Sequence, residues 1–348
     1  MQAVETTELT KDYRSGFWGS RSTRALDRLT LTVEQGEIFG LLGPNGAGKT
    51  TTLKLLLRLV FPTAGSGRIL GRPLHDARVH ARIGYLPENP SFYDHLTAQE
   101  FLHYTGWLCG LDPAVRRRRS RELLEQVELA ESAGIAVRKF SKGMVQRLGI
   151  AQALVNDPEV VFFDEPMSGL DPLGRRQVRD LILSLRRQGK TVFFSTHILS
   201  DAEALCDRVA ILNRGRLQGL GSLREILGTG VASTELVLED PAPGVLMALA
   251  PFTTATVRTG DRVRLELRAD SNTAAVLEAA LRAGARIVSL NPVKTSLEDY
   301  FVAKVEGSSS GRSAGPTTST SGVPVNATGA EPDLDPDIRA AQVESGRR

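Results

Sequence analysis

Residues 37 to 57 constrain this chain more than any other stretch. Glu37-Ile38-Phe39-Gly40-Leu41-Leu42 is a short apolar run, and Thr51-Thr52-Leu53-Lys54-Leu55-Leu56-Leu57 suits the start of a helix. Between them lies Gly43-Pro44-Asn45-Gly46-Ala47-Gly48-Lys49-Thr50, which fits G-x-x-x-x-G-K-[ST]. The order predicts strand, glycine loop, helix. Glycines let backbone N–H groups approach an anion closely, and the helix N-terminus adds partial positive charge. Gly43 to Thr51 are therefore expected to cradle the phosphates of a nucleotide. Lys49 is placed to reach the β- and γ-phosphates as a point charge, and the Thr50 hydroxyl to sit on Mg²⁺.

A second apolar run, Val160-Val161-Phe162-Phe163, ends in Asp164-Glu165. Four apolar residues in a row suit a parallel strand buried on both faces. At its end Asp164 is placed to hold Mg²⁺ through water, and Glu165 to orient or deprotonate an attacking water. An apolar run before an aspartate is weak by itself, but downstream of the glycine loop it is a strong signal.

Composition bounds the rest. The chain has 348 residues, 41% hydrophobic and 24% charged, ordinary for a globular protein of two domains. The net charge of +3 makes no electrostatic case for nucleic acid. No run is long and apolar enough to span a membrane, and Met1 to Thr10 is too polar for a signal peptide. Cys109 and Cys206 have no metal-ligand spacing and read as buried thiols.

Five further pieces make the pattern specific. Phe140-Ser141-Lys142-Gly143-Met144 precedes a predicted helix. Ser168-Gly169-Leu170-Asp171-Pro172 follows the acidic strand end, and Ser195-Thr196-His197 ends another apolar strand. Tyr13 lies upstream of the glycine loop, and Glu88 stands in Gly84-Tyr85-Leu86-Pro87-Glu88. Over Val4 to Leu227 the chain resembles the nucleotide-binding domain of ATP-binding cassette (ABC) proteins. The resemblance implies an α/β fold, a mixed sheet with a RecA-like core plus a helical subdomain at about 90–140, within residues 1–228. It implies ATP and Mg²⁺ as cofactors and a dimer, of two copies or of paired cassettes, that sandwiches ATP.

The resemblance also implies roles. Tyr13 is expected to stack on adenine. Ser141 and Gly143 would contact the γ-phosphate bound to the opposite subunit. Asp171 would arrange the two sites across the dimer, and His197 would hydrogen-bond the γ-phosphate. Three positions depart from the family pattern: Lys142 replaces a glycine, Met144 a glutamine, and Glu88 a metal-sensing glutamine. A glutamate keeps an oxygen acceptor but adds negative charge near phosphate. Lys142 either faces solvent or adds charge toward the phosphate.

Ser91 to Val137 reads as mainly helical, where the family docks a membrane partner. Phe92, Tyr93, Leu96, Phe101 and Tyr104 there form either a docking surface or a small core. Arg116 to Arg119, with Arg121, reads as a solvated helix face, with contact to anionic lipid headgroups the sharper option. Residues 229–306 follow the order β-α-β-β-α-β of a small ferredoxin-like α+β unit, with a last helix over Leu297–Val305. Residues 307–348 are Ser-, Thr-, Gly- and Pro-rich and read as a disordered tail. The sequon at Asn326 carries no meaning without a secretion signal.

The function implied is an ATP-hydrolysing subunit at the inner face of the membrane, driving an integral-membrane permease on another chain. The details around Gly84–Glu88, Ser141–Leu148 and Ser296–Phe301 resemble the bacterial ABC-2 type export branch. The alternative is a ribosome- or DNA-associated ABC ATPase, disfavoured by the single cassette, the absence of zinc modules or long coiled coils, and the near-neutral charge. A degenerate cassette that binds without hydrolysis would not be expected to keep Lys49, Glu165 and His197.

Overall fold

The computed structural model describes residues 1–15, 21–227, 231–268 and 271–294, with Leu297, Glu298 and Tyr300. Most of the loop after Tyr13, the greater part of the last helix and the whole 307–348 tail lie outside them.

Strands β1 (Gln2–Ser15) and β2 (Arg21–Glu34) form a long antiparallel pair. Strand β3 (Ile38–Leu42) leads through the glycine loop into α1 (Lys49–Leu56). Strands β4 (Ala64–Ile69) and β5 (Arg72–Pro73) complete an antiparallel sheet of order β2-β1-β4-β5. After β6 (Ile83–Leu86) come the helices α2 (Ala98–Leu108), α3 (Pro113–Gln126) and α4 (Lys142–Ala153). Then β7 (Val160–Asp164), α5 (Pro172–Arg187), β8 (Thr191–Thr196), α6 (Leu199–Leu205), β9 (Arg208–Asn213), β10 (Arg216–Ser222) and α7 (Leu223–Leu227) follow. The central sheet has the order β10-β9-β3-β8-β7-β6. All its pairs are parallel except the β9–β10 edge.

The central strands are the apolar runs of the sequence, and every residue of β3, β7 and β8 is buried. Alternation sends successive phenylalanines to opposite faces. Phe39, Phe162 and Phe193 stack in the cluster shared with α1 and the β1–β2 pair, with ring centroids 5.3 and 5.6 Å apart. Phe163 and Phe194 enter the other cluster, with α2 to α5. Burying one such ring stabilises by about 1.5–3 kcal/mol, so this sandwich fixes the strand ends that carry Gly43, Asp164 and Thr196. Gly84 of β6 meets α4 so closely that a Cβ there would strike the carbonyl of Ala153.

In the helical segment Thr97 and Glu100 form a reciprocal capping box at the start of α2. The aromatic residues divide between the two expectations. Phe101 is buried, with Phe92 and Leu96 packed against the same core. Tyr93 is exposed and meets Tyr104 edge-on, and Tyr104 leads to exposed Trp107. The arginine run divides too. Arg117, Arg118 and Arg121 are exposed, but Arg119 is tucked in and donates to the Leu154 carbonyl at 2.8 Å. Cys109 corrects the expectation of two buried thiols: it caps the C-terminus of α2 and is exposed. Cys206 does pack inward against Gly40, and burial pushes its thiol well up.

The last described elements are β11 (Val231–Glu239), α8 (Pro243–Leu249), β12 (Thr253–Thr259), β13 (Arg262–Leu267), α9 (Thr273–Arg282) and β14 (Arg286–Lys294). Their antiparallel sheet runs β12-β13-β11-β14, the split β-α-β arrangement expected of a ferredoxin-like unit. Along β13, exposed Arg262, Arg264 and Glu266 alternate with buried Val263, Leu265 and Leu267. The buried face packs on Val245, Leu249, Val276 and Ala280 of the two helices.

Candidate functional site

The glycine loop is shaped by contacts that exclude side chains. Gly48 caps α1 with φ 108, and a Cβ there would strike the Ala25 carbonyl. No side chain caps α1, so its first N–H groups face the loop, where an anion suits them. Lys49 is 6% exposed; its Nζ donates to the carbonyls of Gly43 (2.8 Å) and Pro44 (3.3 Å) and lies 3.1 Å from Glu165 Oε1. A buried ammonium is costly unless it is paired in this way. Pro44, Asn45, Gly46, Ala47, Gly48, Lys49, Thr50 and Thr51 line a cavity of about 380 Å³ with Ala25, Glu88 and Glu165.

The parallel register of β7 and β8 sets Asp164 beside Ser195. Ser195 Oγ donates to Asp164 Oδ1 at 2.5 Å, and Thr50 Oγ1 donates to the same oxygen at 3.3 Å. Glu165 leaves the strand with φ 50, a conformation few non-glycine residues adopt. Its N–H is held by Ser195, at 3.0 Å from the hydroxyl and 3.2 Å from the carbonyl. That turn aims its two carboxylate oxygens in different directions: Oε1 to Lys49, and Oε2 to His197 Nδ1 at 2.9 Å. Lys49, Glu165 and His197 thus form one continuous polar chain. His197 is 41% exposed and, with Gly43, Pro44, Asn45 and Leu199, lines a neighbouring recess. On β6, burial, with the charges of Asp164 and Glu88 beside it, pushes the Tyr85 phenol up to about 12.

Ser195 is the residue to which the sequence pattern assigns no role. It stands in plain view in Ser195-Thr196-His197, but only the β7–β8 register reveals that it grips both acids.

Other expected site residues stand apart from this cavity. Tyr13 is exposed on β1, with the Lys11 ammonium 5.1 Å from its ring centre, and it does not line the cavity. Ser141 is exposed and caps α4, accepting the Met144 N–H at 3.3 Å; Gly143 follows in the first turn with open space where a Cβ would be. Asp171 caps α5 through the Gly174 N–H at 2.9 Å. Lys142 takes the first of its two expected courses, toward solvent, and makes one contact besides. It is exposed, but its ammonium lies over Gly169, bridging the Phe140–Met144 and Ser168–Pro172 loops of one chain.

The family model described as ABC transporter matches residues 26–168. The chain is 49% identical over 301 residues to an uncharacterized ABC transporter ATP-binding protein of Synechocystis sp., covering 86% of this chain and 83% of the relative. It is 37% identical over 239 residues to the Nod factor export ATP-binding protein I of Ralstonia nicotianae, covering 68% and 74%. Among solved structures it is similar to a dimeric ATP-binding cassette in a post-hydrolysis state with ADP and Pi bound, at 28% identity and TM-score 0.58, over 64% of this chain and 99% of that one. Given the strand–glycine loop–helix cavity, the acids beside it and these similarities, the chain belongs to the family of ABC transporter ATP-binding proteins.

Proposed function

We propose that this ABC ATPase subunit closes as a dimer on two ATP molecules and drives export through a permease on a separate chain. The observation that carries the reading is the polar chain Lys49–Glu165–His197, whose Lys49 and Glu165 line the glycine-loop cavity. In it Lys49 and the α1 N-terminus meet the phosphates. Glu165 takes the proton of the attacking water while His197 holds the γ-phosphate side. Thr50 Oγ1 and Asp164 Oδ1, 3.3 Å apart, are hard oxygen donors that suit Mg²⁺. When bound, Mg²⁺ would neutralise charge developing on the phosphates. Glu88 lines the same cavity and would meet the ion through water or stand further back, because a carboxylate 4 Å from a phosphate charge costs about 4 kcal/mol at an effective dielectric of about 20 unless Mg²⁺ offsets it.

Ser141 and Gly143 are open on the surface, as a phosphate site on a second subunit requires, and Asp171 and Tyr13 extend the site beyond the cavity. We assign residues 1–228 to the ATPase domain, 229–306 to the small α+β domain, and 307–348 to a tail. Among the described residues no helix is long and apolar enough to cross a membrane. Placement on the inner face of the membrane, beside the permease, follows from the transporter reading. The relative named for Nod factor export supports export.

The test is purification of the tagged chain from detergent-solubilised membranes, with mass spectrometry of what accompanies it. A stoichiometric multi-span protein is expected. Recovery with ribosomes or DNA-bound proteins instead would promote the non-transport alternative. In the same preparation Glu165→Gln should abolish turnover while ATP binding persists; turnover at the wild-type rate would remove Glu165 from the role of base.

A further inference from the structure

The C-terminal unit reaches back to the ATP site at one point. Leu297, beyond β14, is fully buried in a cluster with Leu42, Ala202, Val209 and Ile211. Its N–H donates to Glu203 Oε1 at 2.8 Å. Tyr300 joins the same cluster and lies against Gly219 of β10.

Two of these partners adjoin the nucleotide machinery. Leu42 immediately precedes Gly43 of the glycine loop. Ala202 and Glu203 belong to α6, whose first residue, Leu199, lines one recess together with His197, Gly43, Pro44 and Asn45. The link between His197 and α6 is a single residue, Ile198, whose N–H is held by Thr196 Oγ1 at 3.0 Å. A displacement of α6 therefore moves His197 against Glu165. The opposite face of α6 offers weaker purchase. Asp201 is buried there with Oδ2 unpartnered and with its carboxyl pushed up by burial, although Arg175 and Arg179 pull the other way.

We propose that Leu297 and Tyr300 are positioning residues for hydrolysis, clamping α6 so that His197 meets Glu165 and the γ-phosphate. The inference rests on the role proposed for His197. It ties the ferredoxin-like unit to the rate of hydrolysis, since whatever shifts that unit retunes turnover without touching nucleotide.

The test is steady-state ATPase kinetics of the full chain carrying Leu297→Ala, Leu297→Met, Glu203→Ala or Glu203→Gln, each alone and combined with His197→Ala. Leu297→Ala and Glu203→Ala should each lower kcat about tenfold, less than the ~10²-fold that a 1 Å misplacement can cost, with KM for ATP unchanged. Leu297→Met keeps the apolar volume and Glu203→Gln keeps an oxygen acceptor, so both should restore most of the rate. Beside His197→Ala, the alanine changes should cost nothing further, because residues acting through one group are not additive. An unchanged kcat, a change confined to KM, or the same loss in the His197→Ala background would overturn the proposal. Absence of hydrolysis in the unaltered chain would instead sink the functional reading beneath it. Should Leu297→Ala fail to fold, the Glu203 pair decides alone.

Discussion

The glycine-loop side and the Ser141 side of this protein are built on opposite plans. Around the loop, Lys49, Asp164 and Glu165 are almost fully buried and partnered within the chain: Lys49 by Glu165 and the Gly43 carbonyl, Asp164 by Ser195 and Thr50. On the other side Ser141 is exposed and Gly143 has open space above it; the Ser141 hydroxyl satisfies only the first turn of α4. One half of the site is complete in a single chain, and the other is a surface. Such an asymmetry suits the proposed dimer, in which the two halves would meet only when two chains close; nucleotide binding would then belong to the monomer and hydrolysis to the dimer.

That comparison can be broken most forcefully with glycines. Gly48→Ala places a methyl against the Ala25 carbonyl at a φ alanine rarely adopts, so ATP affinity of the isolated chain should fall by at least a hundredfold, equivalent to about 2.7 kcal/mol, as read by fluorescent nucleotide titration. Gly143→Ala meets nothing within its own chain. Nucleotide affinity and melting temperature should hold, while kcat falls about tenfold or more and ATP-dependent dimerisation weakens in sedimentation. Equal losses of affinity in the two variants would erase the distinction between the halves.

Asp171 sharpens it further. As the cap of α5 it contributes about 1 kcal/mol. Asp171→Asn retains a capping oxygen and should keep stability, whereas Asp171→Ala should lower it by that amount in urea. If Asp171 also arranges the dimer, both variants should slow hydrolysis, since neither restores the charge.

The smallest effect is a pH dependence. Burial raises the Asp201 carboxyl above its ordinary 3.8, so the folded state holds its proton more tightly than the unfolded state. The group's contribution is therefore most favourable below pH 3.8 and is lost as pH rises through the raised value. Asp201→Asn should flatten that part of the stability profile and raise the melting temperature slightly at about pH 7, measured by calorimetry from about pH 4 to 8. A lower melting temperature at neutral pH would mean that Arg175 and Arg179 outweigh the burial.

Much of the fold was legible because the informative runs are local. The apolar strands ending in Leu42, Asp164 and Thr196 are buried on both faces, and such strands show as unbroken apolar stretches. The ferredoxin-like order was legible because exposed and buried residues alternate cleanly along β13. Cys109 was not legible: its apolar neighbours Trp107 and Leu108 are themselves exposed at the end of α2. The contact of Lys142 with Gly169 was not legible either, since it joins loops apart in the sequence.

By itself, then, the sequence determined the phosphate loop, the order of the strands and the identity of the acids, because spacing along one chain encodes backbone geometry. Only the tertiary structure decided that two hydroxyls share Asp164 Oδ1, that Lys49 and His197 flank the Glu165 carboxylate, that Ser195 holds the Asp164 carboxylate and the Glu165 N–H, and that Leu297 lies against α6. Those pairings depend on strand register and on the packing of segments far apart in the chain, and register follows from the balance of all the buried contacts together rather than from any one run of residues.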